Sequence, residues 1–143
     1  MTKGSRSAAM IVVAAVAGSA PAALAATAVL RAPRSARIAE VVTVAASHLI
    51  KGAYALTLVS DSHPANGVSC VARLSSTRST IGGAVKLRGT VPARLTCYQG
   101  TAISLGRIAT AAGAYHLVVA EPTGPAGFDA SGSFARSALR ITG

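Results

Sequence analysis

Few side chains of this 143-residue chain are suited to catalysis, metal binding or cross-linking. They are His48, His63 and His116, the carboxylates Glu40, Asp61, Glu121 and Asp129, and the cysteines Cys70 and Cys97. Nucleophilic hydrolysis needs a serine or cysteine, a base, and an acid that orients the base. Asp61 and His63 are the one base–acid pair close in sequence, in what reads as a turn, and no nucleophile-elbow sequence accompanies them. Glycoside hydrolysis needs two carboxylates beside a sugar platform. Four scattered acids and no tryptophan do not supply one. The histidines are too dispersed for a zinc site, and no stretch gathers the acids of a calcium loop. No glycine-rich phosphate loop is followed by a suitably placed lysine. The sequence therefore points away from an enzyme, with no catalytic residue, metal or cofactor expected. His116 is expected on the outward side of a strand, in solvent.

The N-terminus sets the compartment. Lys3 and Arg6 precede an uncharged stretch over residues 8–18; Pro21 follows, and then Ala23-Leu24-Ala25. A basic start, an apolar run and an Ala-x-Ala site, in that order, describe a secretory signal, with cleavage expected after Ala25. No charge lies between positions 7 and 30, about the length of a bilayer span, so an uncleaved membrane anchor is the alternative. Pro21, the small residues around it, and Arg31, Arg34 and Arg37 on the outer side weigh against the anchor. After cleavage no membrane span is expected. In an exported chain an even cysteine count reads as a disulfide, here Cys70–Cys97. By chain entropy, closing that loop contributes about 3–4 kcal/mol.

The whole chain carries a formal charge of +10. Loss of Lys3 and Arg6 with the signal leaves +8. On an exported protein this favours anionic partners such as cell-wall or surface polymers, with another secreted protein as the other expectation. Lys86, Arg88 and Arg107 are the candidate anion contacts. Specific nucleic-acid binding is not expected. Only Tyr54, Tyr98, Tyr115, Phe128 and Phe134 could stack on bases, and Tyr54 and Tyr115 are expected in the core.

The elements that must position these residues read as strands. Short apolar/polar alternations bounded by glycine or proline recur from residue 38 onward, so the fold class is all-β and antiparallel. Residues 26–37 read as a basic linker. Residues 41–50 fit helical spacing, but Val41-Val42-Thr43-Val44 is a β-branched run, and a strand over 41–46 is preferred. Residues 53–60 place Tyr54, Leu56 and Leu58 on one face. Asn66-Gly67 closes a hairpin turn into a strand over 68–75. Residues 84–91 put Val85, Leu87 and Val91 inward and Lys86, Arg88 and Thr90 outward, with a bulge expected at Gly89. That strand is expected to form a hairpin with 68–75 across Gly82-Gly83. Residues 92–100 read as a loop carrying Cys97. Residues 102–109 and 114–120 are expected to pair around Ala111-Ala112-Gly113. Residues 121–127 read as a loop, and 137–141 as a last strand with Leu139 and Ile141 inward. Gly52-Ala-Tyr-Ala-Leu-Thr-Leu-Val resembles Gly113-Ala-Tyr-His-Leu-Val-Val-Ala, which suggests a partial repeat (38–75) followed by a repeat (76–143).

Residues 71–143 resemble one unit of the immunoglobulin-like β-sandwich repeats of exported bacterial, especially actinobacterial, proteins. The resemblance rests on Ser76-Thr-Arg-Ser-Thr before Ile81-Gly-Gly-Ala-Val-Lys-Leu-Arg-Gly-Thr-Val, and on Ile103-Ser-Leu-Gly-Arg-Ile. Gly113-Ala-Tyr-His-Leu-Val-Val and Phe134-Ala-Arg-Ser-Ala-Leu-Arg-Ile complete it. It implies an antiparallel immunoglobulin-like β-sandwich, placed here over 38–143, and the N-terminal pattern described above adds a signal helix over 1–25 before it. Such units serve as spacers, adhesion modules or carbohydrate-associated accessories and share no catalytic residues. The expected function is a secreted, non-catalytic binding or structural module of the envelope or medium. The alternative is a secreted inhibitor or effector that presents a Pro/Gly loop, either 121–127 or 61–67.

Overall fold

The computed structural model describes residues 28–62, 66–100, 103–124, 127–128 and 134–143. The signal segment expected over 1–25 and His63 lie outside the described residues. Among those described there is no helix. The strands are β1 (Val29–Arg31), β2 (Ser35–Arg37), β3 (Val41–Ser47), β4 (Ala53–Ser60), β5 (Val68–Arg73), β6 (Arg78–Ser79) and β7 (Val85–Thr90). They continue with β8 (Arg94–Gln99), β9 (Ile103–Ala109), β10 (Gly113–Ala120), β11 (Pro122–Thr123), β12 (Gly127–Phe128) and β13 (Ala135–Thr142).

Two sheets share one core. The smaller runs β1-β3-β7; the larger runs β2-β13-β10-β4-β5-β8-β9, with β6 beside the start of β4. Every pairing in them is antiparallel except β2 with β13, which is parallel. Val42, Val44, Val85 and Leu87 from one sheet meet Tyr54, Leu56, Leu58, Leu95, Leu117 and Ile141 from the other in a single buried cluster. The β-branched run that opposed a helix at residues 41–46 forms β3, half of whose residues face this core.

The centre of the larger sheet is buried on both sides. On β4 the inward Tyr54, Leu56 and Leu58 are covered by the other sheet, yet Ala55 and Thr57 on the opposite face are buried as well. The same holds for β10, where Tyr115, Leu117 and Val119 point inward and Val118 and Ala120 are buried outward. The two glycine–alanine–tyrosine copies start these two neighbouring strands, and both tyrosines do the same thing. The Tyr54 hydroxyl donates to the Ile50 carbonyl at 2.7 Å, and the Tyr115 hydroxyl donates to the Ala111 carbonyl at 2.6 Å. Each ring therefore ties the turn before its strand to the core. Burial raises the Tyr115 phenol above its ordinary pKa.

Several expected connections differ. Residues 84–91 do not form a hairpin with 68–75: β7 pairs with β3 in the other sheet, while β5 lies between β4 and β8. Residues 94–99 are strand β8 and not loop. Pro92 and Gly100 bracket a true alternation in which Leu95 and Cys97 are buried. Cys70 and Cys97 are thus direct cross-strand partners, bonded with Cα atoms 3.9 Å apart. Residues 102–109 do not pair with 114–120. Strand β9 pairs with β8, and β10 takes its partners from β4 and β13. Nor does β9 bury a face: all seven residues are exposed, Ile103 by 64%, because the three-stranded sheet does not reach under this edge. The stretch read as a linker holds β1 and β2. Ala36 enters the core, and its neighbours Ser35 and Arg37 stay outside.

Gly89 carries no bulge. It pairs in register with Val42, and its missing side chain admits the backbone of Leu74. A Cβ at this position would overlap the Leu74 carbonyl oxygen and Cβ. The Leu74 N–H is itself committed to the Leu56 carbonyl at 2.8 Å, so Leu74 cannot withdraw freely. Gly89→Ala should therefore lower stability by about 1–3 kcal/mol, the usual range for overpacking. Urea unfolding of the two chains measures it, and equal midpoints would contradict the close approach.

Candidate binding face

The outer face of the larger sheet brings together side chains that lie far apart in sequence. The register sets the grid. Arg140 on β13 stands beside Ala114 on β10, Ala138 beside His116, and Arg136 beside Val118. On the other flank of β10, His116 is beside Val59 and Val118 beside Thr57 of β4, with Asp61 just past its end. Thr57 and Val59 are in turn opposite Arg73 and Val71 of β5. In a strand, residues two apart share a face, so Arg136, Ala138 and Arg140 form one outward column. The parallel partner β2 adds Arg37 to the same face, opposite Thr142.

The segment after β10 closes one end of this face. Strands β11 and β12 pair as a small hairpin, Pro122 opposite Phe128. Arg73 holds it down: its Nε donates to the Thr57 hydroxyl at 3.0 Å, and its Nη2 donates to the Gly127 carbonyl at 3.1 Å and to the Gly124 carbonyl at 3.5 Å. A guanidinium can do this because its five donors are fixed in one plane. The covering explains why Ala55, Thr57, Val71, Val118 and Ala120 are buried on the side away from the core. Phe128 and Phe134, the only phenylalanines in the chain, meet here with ring centres 6.1 Å apart and planes tilted by 45°.

Two clefts border this arrangement and share Asp61. One, of about 400 Å³, is lined by Arg34, Asp61, Ala114 and Arg140 among others. The second, of about 320 Å³, is lined by Val59, Ser60, Asp61, His116, Val118, Phe128, Phe134 and Arg136. Small residues make the first depression: Ala114 and Ala138 stand where longer side chains would fill the space between the arginines. His116 Nδ1 lies 2.6 Å from Asp61 Oδ1, with the side chains 25% and 37% exposed. An ionised carboxylate only accepts, so Nδ1 carries the proton and the ring is held with Nε2 away from Asp61. No hydroxyl or thiol hydrogen-bonds this ring among the described residues. The Ser60 hydroxyl is engaged with the backbone of Ser62. Among the described residues no three His, Cys, Asp or Glu side chains are grouped to hold a metal.

The residues expected to contact anions are placed apart. Lys86 and Arg88 are exposed on β7 of the smaller sheet, whereas Arg107 lies on β9 at the far edge of the larger one. His116 is on the outward side of its strand as expected, but it is half-buried and paired with Asp61 and does not stand free in solvent. Asp61 shares a turn of the sequence with His63, which lies outside the described residues, and it bonds to a histidine 55 positions along the chain. Sequence reasoning missed this pairing and the Arg136/Arg140 column. The signal was there in the even spacing of two arginines on one strand. No known protein family, curated protein or solved structure matches the chain.

Arg73 is the clasp of this face. Arg73→Met keeps the length and apolar stem of the side chain but removes three hydrogen bonds made by a charged group, two of them to the covering segment. A loss of about 1.5–3 kcal/mol is expected. Limited proteolysis should cut first within residues 121–134 of the variant, and an unchanged cleavage pattern would contradict the clasp.

Proposed function

We propose that this chain is an extracellular, non-catalytic module of immunoglobulin-like β-sandwich type that holds acidic ligands on the outer face of its larger sheet. The strand order supports the fold reading. Strands β1, β3 and β7 stand for the A, B and E strands of one sheet, and β13-β10-β4-β5 for G-F-C-C′ of the other. Tyr115 sits near the start of the strand that corresponds to F, and its hydroxyl returns to the backbone four residues upstream, as a tyrosine corner does. There are departures. Leu117 stands where immunoglobulin domains of antibodies carry their second cysteine, and the disulfide joins neighbouring strands of one sheet. The β8–β9 hairpin is an addition beyond β5.

The observation that carries the functional reading is the basic column. Arg136 and Arg140 on β13, with Arg34 and Arg37 from the β2 side and His116 behind them, face outward over floor residues as small as alanine. Among the described residues Asp61 is the one carboxylate that lines these clefts, and it is committed to His116. Such a surface attracts polyanions at long range and binds them through exposed guanidinium groups. The signal-like pattern over residues 1–25 supports polymers outside the cell, in the wall or on the surface. The inhibitor reading gains less support, because the candidate loop at 121–127 is held against the sheet by Arg73.

Polyphosphate serves as the probe. The chain should bind it at low ionic strength and lose most of the affinity as salt rises, since surface charge interactions are screened within about 10 Å at 0.1 M. Arg34→Gln with Arg140→Gln should weaken binding by about tenfold, each lost contact being worth roughly 0.5–1 kcal/mol. Lys86→Gln with Arg88→Gln, on the other sheet, should leave it within about twofold. Equal losses in the two double variants would refute the assignment of the face.

A further inference from the structure

We infer that the cleft between Arg136 and the two phenylalanines is a site for a small carboxylic acid with an aromatic or branched apolar body. The inference rests on the preceding reading of this face as an acidic-ligand surface and gives its walled end a ligand class. Three observations converge on it. First, the walls are of two kinds. Val59, Val118, Phe128 and Phe134 are apolar, and Arg136 and His116 stand at the polar side with Asp61. A simple polyanion has no use for the apolar part, and a hydrocarbon has none for the guanidinium. Second, the charges are arranged unequally. The Asp61 carboxylate is taken up by His116, whereas Arg136 is exposed and makes no hydrogen bond or ion pair among the described residues. The cleft therefore offers a cation whose bidentate donors fit a carboxylate. Third, the size is right for one ring. A dry cavity of about 150 Å³ holds benzene. A cleft of about 320 Å³ has room for a ring, a short link and a carboxylate.

The rings are also built to stay open to a third partner. Phe128 and Phe134 are tilted at 45° and both are only half-buried, so each keeps surface toward the cleft. Phe134 lies two residues before Arg136 on the same chain segment, and both line the cleft. In the bound state the apolar body lies against Phe128, Phe134 and Val118, while the carboxylate pairs with Arg136. His116 borders the carboxylate end and is kept in place by Asp61.

The test uses residues 26–143 and three probes: 3-phenylpropionate; 3-phenylpropanol, of matched size, which keeps the ring but lacks the charge; and acetate, a smaller anion, which keeps the charge but lacks the ring. Titration calorimetry or NMR titration reads the affinities. The expected result is saturable binding of 3-phenylpropionate, tighter than either control by about tenfold or more, the factor a charge-assisted pair supplies. Arg136→Gln, a substitution at an exposed strand position, should bring the acid down to the level of the alcohol. Phe134→Leu should weaken acid and alcohol together. The inference is overturned if acid and alcohol bind alike, if Arg136→Gln leaves the acid unaffected, or if no probe saturates. Polyphosphate titrated in parallel separates the two proposals. Polyphosphate binding without preference for the acid removes the cleft ligand and leaves the acidic-ligand face standing, while absence of both removes both.

Discussion

The pairing of β4 with β10 is the contact on which the rest of the structure depends. These two strands sit at the centre of the larger sheet, and Leu56, Leu58, Leu117 and Val119 lie between the sheets with no exposed surface. Burying such side chains stabilises by about 1.5–3 kcal/mol each. The outer side of the same two strands is apolar as well, at Ala55, Val118 and Ala120, and uncovered it would meet water. The chain resolves this by laying the segment after β10 over the outer side and fixing it with Arg73. The covering is incomplete. Where it ends, the outer face carries His116, Arg136 and Arg140 in place of Ala55, Val118 and Ala120. The candidate site is therefore a consequence of the double burial: it is the uncovered margin of a sheet that is otherwise closed on both sides.

Much of the fold was legible in the residues, and the misreadings share a cause. Period-two alternation located β3, β4, β5, β7, β10 and β13, because each places branched or leucine side chains on one face. Alternation says which face is buried but not which strand lies alongside. For that reason proximity in sequence suggests β5 as the partner of β7, whereas the partner is the distant β3; β9 goes with β10 only while 92–100 is read as a loop, and its partner is the preceding strand β8. Glycine and proline misled in one place more than others. Pro92 and Gly100 look like the ends of a loop, yet the six residues from Arg94 to Gln99 alternate as clearly as any strand in the chain. Gly89 was read as a backbone irregularity, and its function is to leave room for Leu74.

The site was harder to read for a related reason. Its groups are Arg34, Asp61, His116, Arg136 and Arg140, spread over more than a hundred positions and joined only by the β2–β13–β10–β4 order. Charge spread evenly along a sequence says nothing about where it gathers on a sheet. The Lys86/Arg88 alternation and the Arg136/Arg140 alternation look equivalent as sequence. What separates them is the neighbourhood. The second pair stands beside a histidine oriented by Asp61, two phenylalanine rings and alanines that leave space. Chemistry here depends on the mixture of guanidinium, imidazole and aromatic wall. That mixture exists only once the strands are ordered.

The account makes one claim above the others: the face of β13, β10 and β2 is where acidic ligands bind. An NMR titration of isotope-labelled residues 26–143 with short-chain polyphosphate tests it residue by residue. The predicted result is a contiguous set of shifts at Arg34, His116, Arg136 and Arg140, with Lys86, Arg88 and Arg107 unmoved. Shifts centred on Lys86 and Arg88, or spread evenly over every arginine of both sheets, would contradict it.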